Sequence, residues 1–257
     1  YRKLGLETML VTKVAANDRQ NLLSKLEQAD TTIRCLESSE TLQFENIYSS
    51  SDPNHRLQRI LRFADPLTTR DLVDVSADVF HLGPLAVGDI EPELFVDLAT
   101  RGTVALDVQG LLRLRRPGQV TLQMSPEIRK LVQHTDILKA DIEEARLLTG
   151  CQTTRDMLTE LQSWGPREIL ITAGSHGSSI CSPEGMSEIP AYRPKNTVDS
   201  TGCGDTYLAG YVAARLRGLS PYSSAHIGAA AASHKLEYAG PLQASFDALS
   251  EQIKLET

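Results

Sequence analysis

The sequence predicts an α/β fold with a mostly parallel, doubly wound sheet that helices flank on both faces. Short apolar runs alternate with segments of helical period through the middle of the chain, an order typical of parallel strands joined by helices. The apolar runs are continuous, as expected for strands that are buried on both sides. A length of 257 residues is ample for one large hydrophobic core, so we expect one domain over residues 1–257.

The first fifty residues predict a strand, a helix and a small β excursion. Residues 8–14 form a largely apolar run, and Asp18 can cap a helix whose apolar positions begin at Leu22. Residues 33–36 and 42–48 then predict two short strands, and the polar stretch between them favours a hairpin. Polar residues interrupt both strands, so we expect them to lie outside the main core.

The middle of the chain alternates strands and helices. We predict strands over residues 79–82, 104–107, 137–138 and 169–172. We predict helices over residues 91–101, 126–133, 142–148 and 157–164. In the last third of the chain, residues 206–217 and 223–238 predict two long helices, the second rich in alanine. The many small residues there favour close packing of the two helices.

Composition and charge exclude several classes of protein. Lys and Arg total 26 against 33 Asp and Glu, which gives a net charge of −7 and argues against a nucleic-acid binder. No run of about 18 apolar residues is present, so we expect no membrane-spanning helix. The four cysteines are far apart and the six histidines are scattered. This pattern favours reduced thiols in a cytoplasmic protein and argues against a zinc site.

The loop before the first of the two long helices has the pattern of an anion site. Gly202 and Gly204 flank Cys203 immediately before the helix. Glycines allow successive backbone N–H groups to point the same way, and a helix N-terminus adds partial positive charge. Asp205 follows at the first turn, where its carboxylate can accept the proton of a hydroxyl that attacks a bound phosphate. The alternative is a structural turn with Asp205 as a helix cap.

The residues of this loop resemble a known signature. The stretch Asp199-Ser200-Thr201-Gly202-Cys203-Gly204-Asp205 is similar to D-T-x-G-A-G-D of the ribokinase-like (PfkB-type) carbohydrate kinases, with Ser200 in place of Thr and Cys203 in place of Ala. Residues 172–177 resemble the T-x-G-x-x-G nucleotide segment of the family, and residues 139–144 resemble its K-x-N-x-x-E segment. The run 106–113 is similar to inositol-kinase-like members.

The resemblance implies roles in phosphoryl transfer from ATP. Asp205 would be the catalytic base, and the backbone N–H groups of Gly202, Cys203 and Gly204 would form the anion hole. Nucleotide binding falls to Thr172, Gly174 and Gly177. Glu144 and Asp141 would hold Mg²⁺ through water, with Asp141 standing where the family has Asn. Asp199 would help to build a site for a monovalent cation, so potassium dependence is a hypothesis. The alternative is that Asp199 only forms the turn.

The resemblance also implies a substrate site and a lid. Asp107 and Gln109, at the end of a predicted strand, would face the substrate. The β excursion at residues 32–48 would be a lid that covers the site and mediates a homodimer, with Asn46 reaching the substrate. Arg113 either pairs with an anion or lies at the surface. Relatives open with a further strand and a Gly-Gly segment, which we expect to be missing here.

We therefore expect an ATP-dependent kinase that acts on a hydroxyl of a small sugar or polyol. A nucleoside kinase of the same fold and a catalytically weak ligand-binding sensor are the alternatives. The expected partners are small molecules, with neither nucleic acid nor membrane.

Overall fold

The computed structural model describes residues 1–28, 31–48 and 56–256. The strands are β1 (Met9–Val14), β2 (Thr32–Glu37), β3 (Gln43–Tyr48), β4 (Arg56–Arg62), β5 (Val79–Leu82), β6 (Thr103–Asp107), β7 (Gly118–Gln119), β8 (Ile137–Asp141), β9 (Glu168–Thr172), β10 (Ser178–Ser182) and β11 (Gly185–Ile189). The α-helices are α1 (Arg19–Gln28), α2 (Pro92–Ala99), α3 (Pro126–Val132), α4 (Ile142–Thr149), α5 (Thr154–Ser163), α6 (Cys203–Arg215), α7 (Pro221–Leu236) and α8 (Phe246–Glu256).

The main sheet confirms the predicted fold class. Its six strands lie in the order β11-β10-β9-β8-β6-β5. Strands β5, β6, β8 and β9 are parallel, while β10 and β11 add an antiparallel edge. Asp107 pairs with Lys139, and Asp141 pairs with Thr172. The register therefore brings three predicted site residues and one lysine to the carboxyl edge of the sheet, where open α/β sheets bind ligands.

Helices cover both faces of this sheet because neighbouring residues of each strand point to opposite sides. Leu106 and Ile171 pack into the core beneath α2, α3, α4 and α5. Ala105 and Leu170 pack into the core beneath α6, α7 and α8. All four side chains are essentially inaccessible to solvent, which explains why the strands are continuous apolar runs in the sequence.

The predicted hairpin at the start of the chain is wrong. Strand β2 pairs in parallel with β1, and β3 pairs antiparallel with β4, which in turn pairs with β7. The chain between β2 and β3 is anchored elsewhere, because Ser39 donates its backbone N–H to Asp65 at 2.8 Å and Asp65 donates its own to the Ser38 hydroxyl at 2.7 Å. Residues 32–48 thus belong to two sheets, and a lid role for the β3-β4-β7 sheet stays a prediction.

Helix α6 begins earlier than the sequence predicts. It starts at Cys203 instead of Thr206, and Gly202 is its N-cap residue with a φ of 79°. That left-handed conformation favours glycine. Asp205 consequently lies in the first helical turn, where the sequence predicts it.

Helices α6 and α7 pack closely through small residues. A Cβ atom on Gly228 would lie 2.8 Å from the carbonyl oxygen of Tyr207 and 3.2 Å from its ring. The two helices can therefore pack this closely only because residue 228 has no side chain. In the described part of the chain, no helix has the length and apolar character needed to cross a membrane.

Substitution Gly228→Ala is expected to lower the free energy of unfolding by about 1–3 kcal/mol, the usual cost of overpacking. Chemical denaturation monitored by circular dichroism measures the change. Gly83→Ala is the control, because a Cβ atom there meets nothing within 4 Å. An unchanged stability of the Gly228 variant would contradict the packing described for α6 and α7.

Candidate active site

A buried ion pair lies at the carboxyl edge of the sheet. The Lys139 ammonium (Nζ) is 2.8 Å from Oδ2 of Asp107, with side-chain exposures of 5% and 9%. Burial disfavours both charges, so each requires the other. The backbone N–H of Gln109 donates to Oδ1 of Asp107 at 3.1 Å. Asp107, predicted to face substrate, therefore also fixes the position of an ammonium group that the sequence analysis left without a role.

The N-terminus of α6 lies on this ion pair. A Cβ atom on Gly204 would stand 2.7 Å from Nζ of Lys139 and 3.9 Å from Oδ2 of Asp107. The absence of a side chain on Gly204 leaves room for the ammonium, and the positive end of the helix and the lysine charge lie together. The first intrahelical bond runs from the Thr206 N–H to the Gly202 carbonyl at 2.9 Å, so the amides of Gly204 and Asp205 precede the regular helical ladder.

Cys203 differs from the other predicted anion-hole residues. Its backbone N–H donates to the Ser200 carbonyl at 3.3 Å. Within the loop, this bond closes the turn that leads into α6. The Cys203 amide is therefore engaged within the loop, while the roles of the Gly202 and Gly204 amides in an anion hole stay predictions.

Burial and the nearby charges shift the pKa of the Asp205 carboxyl group. Burial raises the pKa of its carboxyl group, and the nearby Asp107 raises it further, while Lys139 and Arg113 oppose the rise. A higher pKa makes a carboxylate a stronger base, provided that it remains ionised at the working pH. The charges at this edge of the sheet thus shift the pKa of Asp205 in both directions.

Asp141 and Glu144 hold the start of α4. The Asp141 N–H donates to Oε2 of Glu144 and the Glu144 N–H donates to Oδ1 of Asp141, both at 2.8 Å. Burial raises the pKa of Glu144 to about 7, against the attraction of Lys139. Within the described residues, no group of three or more metal-type side chains gathers. Each carboxylate therefore caps the start of α4, and a role for the two acids in holding Mg²⁺ through water stays a prediction.

The predicted nucleotide segment lies beside these acids. Thr172 ends β9 opposite Asp141, and its hydroxyl donates to the Ala140 carbonyl at 3.5 Å. Gly174 opens a short 3-10 turn and Gly177 follows it. The segment therefore shares the carboxyl edge with the ion pair. Asn46 lies in β3, and its side chain is outside the described residues.

Arg113 is a buried link between the small antiparallel sheet and the site. Its guanidinium lies 5.4 Å from the ring centroid of Phe44 and donates to Oε1 of Gln58 at 3.4 Å. The same charge opposes the rise in the pKa of Asp205. Of the two alternatives for Arg113, a surface position is therefore wrong.

Sequence reasoning missed two more groups near this edge. His81 lies on β5, and burial lowers its pKa to about 4 although the Asp107 charge opposes the change. Lys235 lies near the end of α7 and contacts Asp199, the predicted cation ligand. Lysines and histidines are common on surfaces, and only the three-dimensional packing shows that these are buried or half-buried. The position of His81 within the apolar run of β5 is the sequence signal that indicates a buried histidine.

Comparison with known proteins identifies the family of the chain. A family model described as pfkB family carbohydrate kinase matches residues 2–247. Inositol 3-kinase of Zea mays is 31% identical over 189 residues, which are 72% of this chain and 46% of that protein. The 2-dehydro-3-deoxygluconokinase of Escherichia coli K12 is 29% identical over 147 residues, which are 56% and 47% of the two proteins. The chain thus spans about half the length of the curated relatives it matches.

Solved structures share the fold. A pyrophosphate-dependent kinase in the ribokinase family, complexed with a pyrophosphate analog and myo-inositol, gives a TM-score of 0.85 at 25% identity, covering 97% of this chain and 87% of that chain. Arabidopsis thaliana ribokinase complexed with ribose and ATP gives 0.77 at 20% identity, covering 98% and 83%. Together with the matched family model, these similarities show that the chain belongs to the pfkB family of carbohydrate kinases and has the ribokinase fold.

Proposed function

We propose that the chain carries the phosphotransferase site of a kinase that moves a phosphoryl group to a hydroxyl of a small sugar or polyol. The observation that carries the proposal is the position of Asp205. Its carboxylate lies in the first turn of α6, and the N-terminus of that helix lies on the buried Lys139–Asp107 pair. A base and a site for negative charge are therefore adjacent.

In the proposed reaction, the acceptor hydroxyl transfers its proton to Asp205 as its oxygen forms a bond to phosphorus. The bond from phosphorus to the donor oxygen breaks, and the donor leaves with that electron pair. The amides of Gly204 and Asp205 stabilise the charge on the transferring group, as does the ammonium of Lys139. Fixed donors of this kind supply large catalytic effects because they need no reorganisation.

ATP is the proposed donor, and Thr172, Gly174 and Gly177 are the proposed contacts for its phosphates. Their place at the carboxyl edge beside Asp141 supports this assignment. Mg²⁺, held through water by Asp141 and Glu144, would neutralise charge on the donor phosphates. Pyrophosphate is a second candidate donor, because the pyrophosphate-dependent structure has a TM-score of 0.85 against 0.77 for the ribokinase with ATP.

The proposed acceptor class is a sugar or polyol. The similarity to inositol 3-kinase and to 2-dehydro-3-deoxygluconokinase supports it. A nucleoside acceptor is the alternative, since the nucleoside kinase of Methanocaldococcus jannaschii is 33% identical over 128 residues, which are 48% of this chain and 40% of that protein.

We also propose that the β3-β4-β7 sheet covers the acceptor. The contacts of Arg113 with Phe44 and Gln58 support this role, because they tie the sheet to the edge that carries Asp205. Closure of such a sheet would exclude water from the phosphoryl group. A homodimer through this sheet stays a prediction from the sequence.

A matrix of donors and acceptors tests the proposal. The full chain is incubated with Mg²⁺ and either ATP or pyrophosphate, and with myo-inositol, ribose, 2-dehydro-3-deoxygluconate or a nucleoside in turn. Phosphorus NMR then detects new phosphomonoesters. We expect acceptor-dependent transfer to at least one sugar or polyol, with Asp205→Asn as the inactive control. Transfer to the nucleoside alone would favour the alternative acceptor, and donor binding without any transfer would favour a sensor.

A further inference from the structure

We infer that the ammonium group of Lys235 serves this chain as a built-in monovalent cation beside the anion hole, so that catalysis needs no potassium. The inference rests on the proposed function and concerns the same site. Lys235 lies near the C-terminal end of α7, and its side chain is 4% exposed. A buried ammonium must find oxygen partners in the protein, because water is excluded.

Three oxygen atoms surround this ammonium. Its Nζ lies 3.1 Å from the carbonyl oxygen of Asp199, 3.4 Å from Oδ2 of Asp199 and 3.2 Å from the carbonyl oxygen of Tyr238. Three acceptors match the three N–H donors of an ammonium group. Two carbonyls and a carboxylate are also the hard oxygen donors that suit a small inorganic cation. Here the cation is the ammonium group of Lys235, which is a side chain of α7. Because this ammonium already contacts all three oxygen atoms, they do not fit an additional potassium ion.

Two of the three oxygen atoms belong to Asp199, in the segment that leads into the anion hole. The backbone N–H groups of Val198 and Asp199 donate to the Leu236 carbonyl at 2.7 and 3.3 Å. The N–H of Thr201 donates to Oδ1 of Asp199 at 2.9 Å. Thr201 immediately precedes Gly202, the N-cap of α6. Lys235 therefore fixes both the carbonyl and the side chain of the residue from which the anion-hole turn begins.

The positive charge of Lys235 also reaches the loop itself. Burial raises the pKa of the Cys203 thiol, and Lys235 is the largest influence that opposes this rise. The ammonium thus combines two functions of a bound cation, since it organises the turn and places positive charge near the first residue of α6. The resemblance to the family predicts potassium at Asp199, and the contacts of Lys235 point to the opposite result.

Two variants distinguish a resident cation from a simple structural tether. Lys235→Ala removes the ammonium and leaves room among the oxygens. Lys235→Met removes the charge but fills the space. Transfer rates and thermal unfolding midpoints are measured in potassium, ammonium and tetramethylammonium chloride at equal ionic strength. Lys130→Ala is the matched control, because Lys130 is exposed and pairs only with Glu127 among the ion pairs of the described residues.

The wild-type protein is expected to work at the same rate in all three salts, within about twofold, because equal ionic strength gives equal screening. Lys235→Ala should lose between about tenfold and a hundredfold in tetramethylammonium, the range that follows from misplacing a catalytic loop. Potassium or ammonium should restore most of that loss and raise the unfolding midpoint. Lys235→Met should lose activity without any rescue, and Lys130→Ala should match the wild type.

Activation of the wild-type protein by potassium, by tenfold or more, would overturn the inference. This measurement does not depend on whether the variants fold. An Ala variant that folds but shows no rescue in rate or midpoint would overturn it as well. The unfolding midpoints separate this inference from the proposed function. If the wild type transfers no phosphoryl group in any salt, selective stabilisation of the Ala variant by potassium or ammonium still supports the resident cation, and its absence contradicts it.

Discussion

Asp205→Asn is expected to lower turnover by about a hundredfold or more, the contribution typical of a general base. Asparagine keeps the shape of the side chain but cannot accept the proton of the acceptor hydroxyl. Steady-state kinetics with the best acceptor measures the loss. Because protonation also disables Asp205, the wild-type rate should fall as the pH drops through its raised pKa. The variant should lose this part of the pH dependence and keep only the part that comes from Glu144, whose pKa is about 7.

The control for this result is a second acid in the first turn of a helix. Asp247 lies in the first turn of α8 and is exposed, so Asp247→Asn should leave turnover unchanged. Calorimetry should show that Asp205→Asn still binds the donor. Near-normal turnover of Asp205→Asn would remove the assignment of this residue as the base.

Lys139→Met is expected to lower turnover by about a hundredfold to a thousandfold, the range seen when one fixed electrostatic donor is removed. The ammonium lies against the N-terminus of α6, where negative charge develops in the proposed reaction. Its loss should also raise the pKa of Asp205, because Lys139 opposes that rise. The acid limb of the pH–rate profile should therefore move to higher pH.

A matched design separates this catalytic effect from stability. Lys139→Met leaves Asp107 buried without its partner, which costs about 3–5 kcal/mol of stability, whereas removing both charges is often neutral. The double variant Lys139→Met/Asp107→Leu should therefore fold and remain slow. Arg215→Met breaks the ion pair with Glu168 at the opposite edge of the sheet, and it should reduce stability without changing turnover. Normal turnover in the folded double variant would contradict the role of Lys139.

The parallel core was predictable from the sequence because each strand is buried on both sides. Runs such as Val104–Leu106 and Ile169–Ile171 are apolar throughout, and burial on both faces forces that pattern. Helix α6 starts three residues before the predicted Thr206, because the low helix propensity of Gly204 hides its first residues from a local pattern. Strand pairing at the start of the chain depends on partners distant in sequence, which local patterns do not encode.

The candidate site, like the fold, could be predicted only in part from the sequence. Glycines and acids of the anion-hole loop stand together in the sequence and could be found there. The contact between Asp107 and Lys139 joins residues 32 positions apart, and that between Asp199 and Lys235 joins residues 36 positions apart. Their ammonium groups gain a role only when the strands and helices bring them beside the loop.

The central claim is that the start of α6 holds the transferring phosphoryl group beside Asp205. A crystal structure of the full chain with Mg²⁺, ADP, aluminium fluoride and the best acceptor tests it most directly. If pyrophosphate is the donor, phosphate takes the place of ADP. The fluoride mimic should accept hydrogen bonds from the amides of Gly204 and Asp205, with the acceptor hydroxyl on the Asp205 carboxylate. A mimic bound away from these amides, with the acceptor hydroxyl on another base, would contradict the claim.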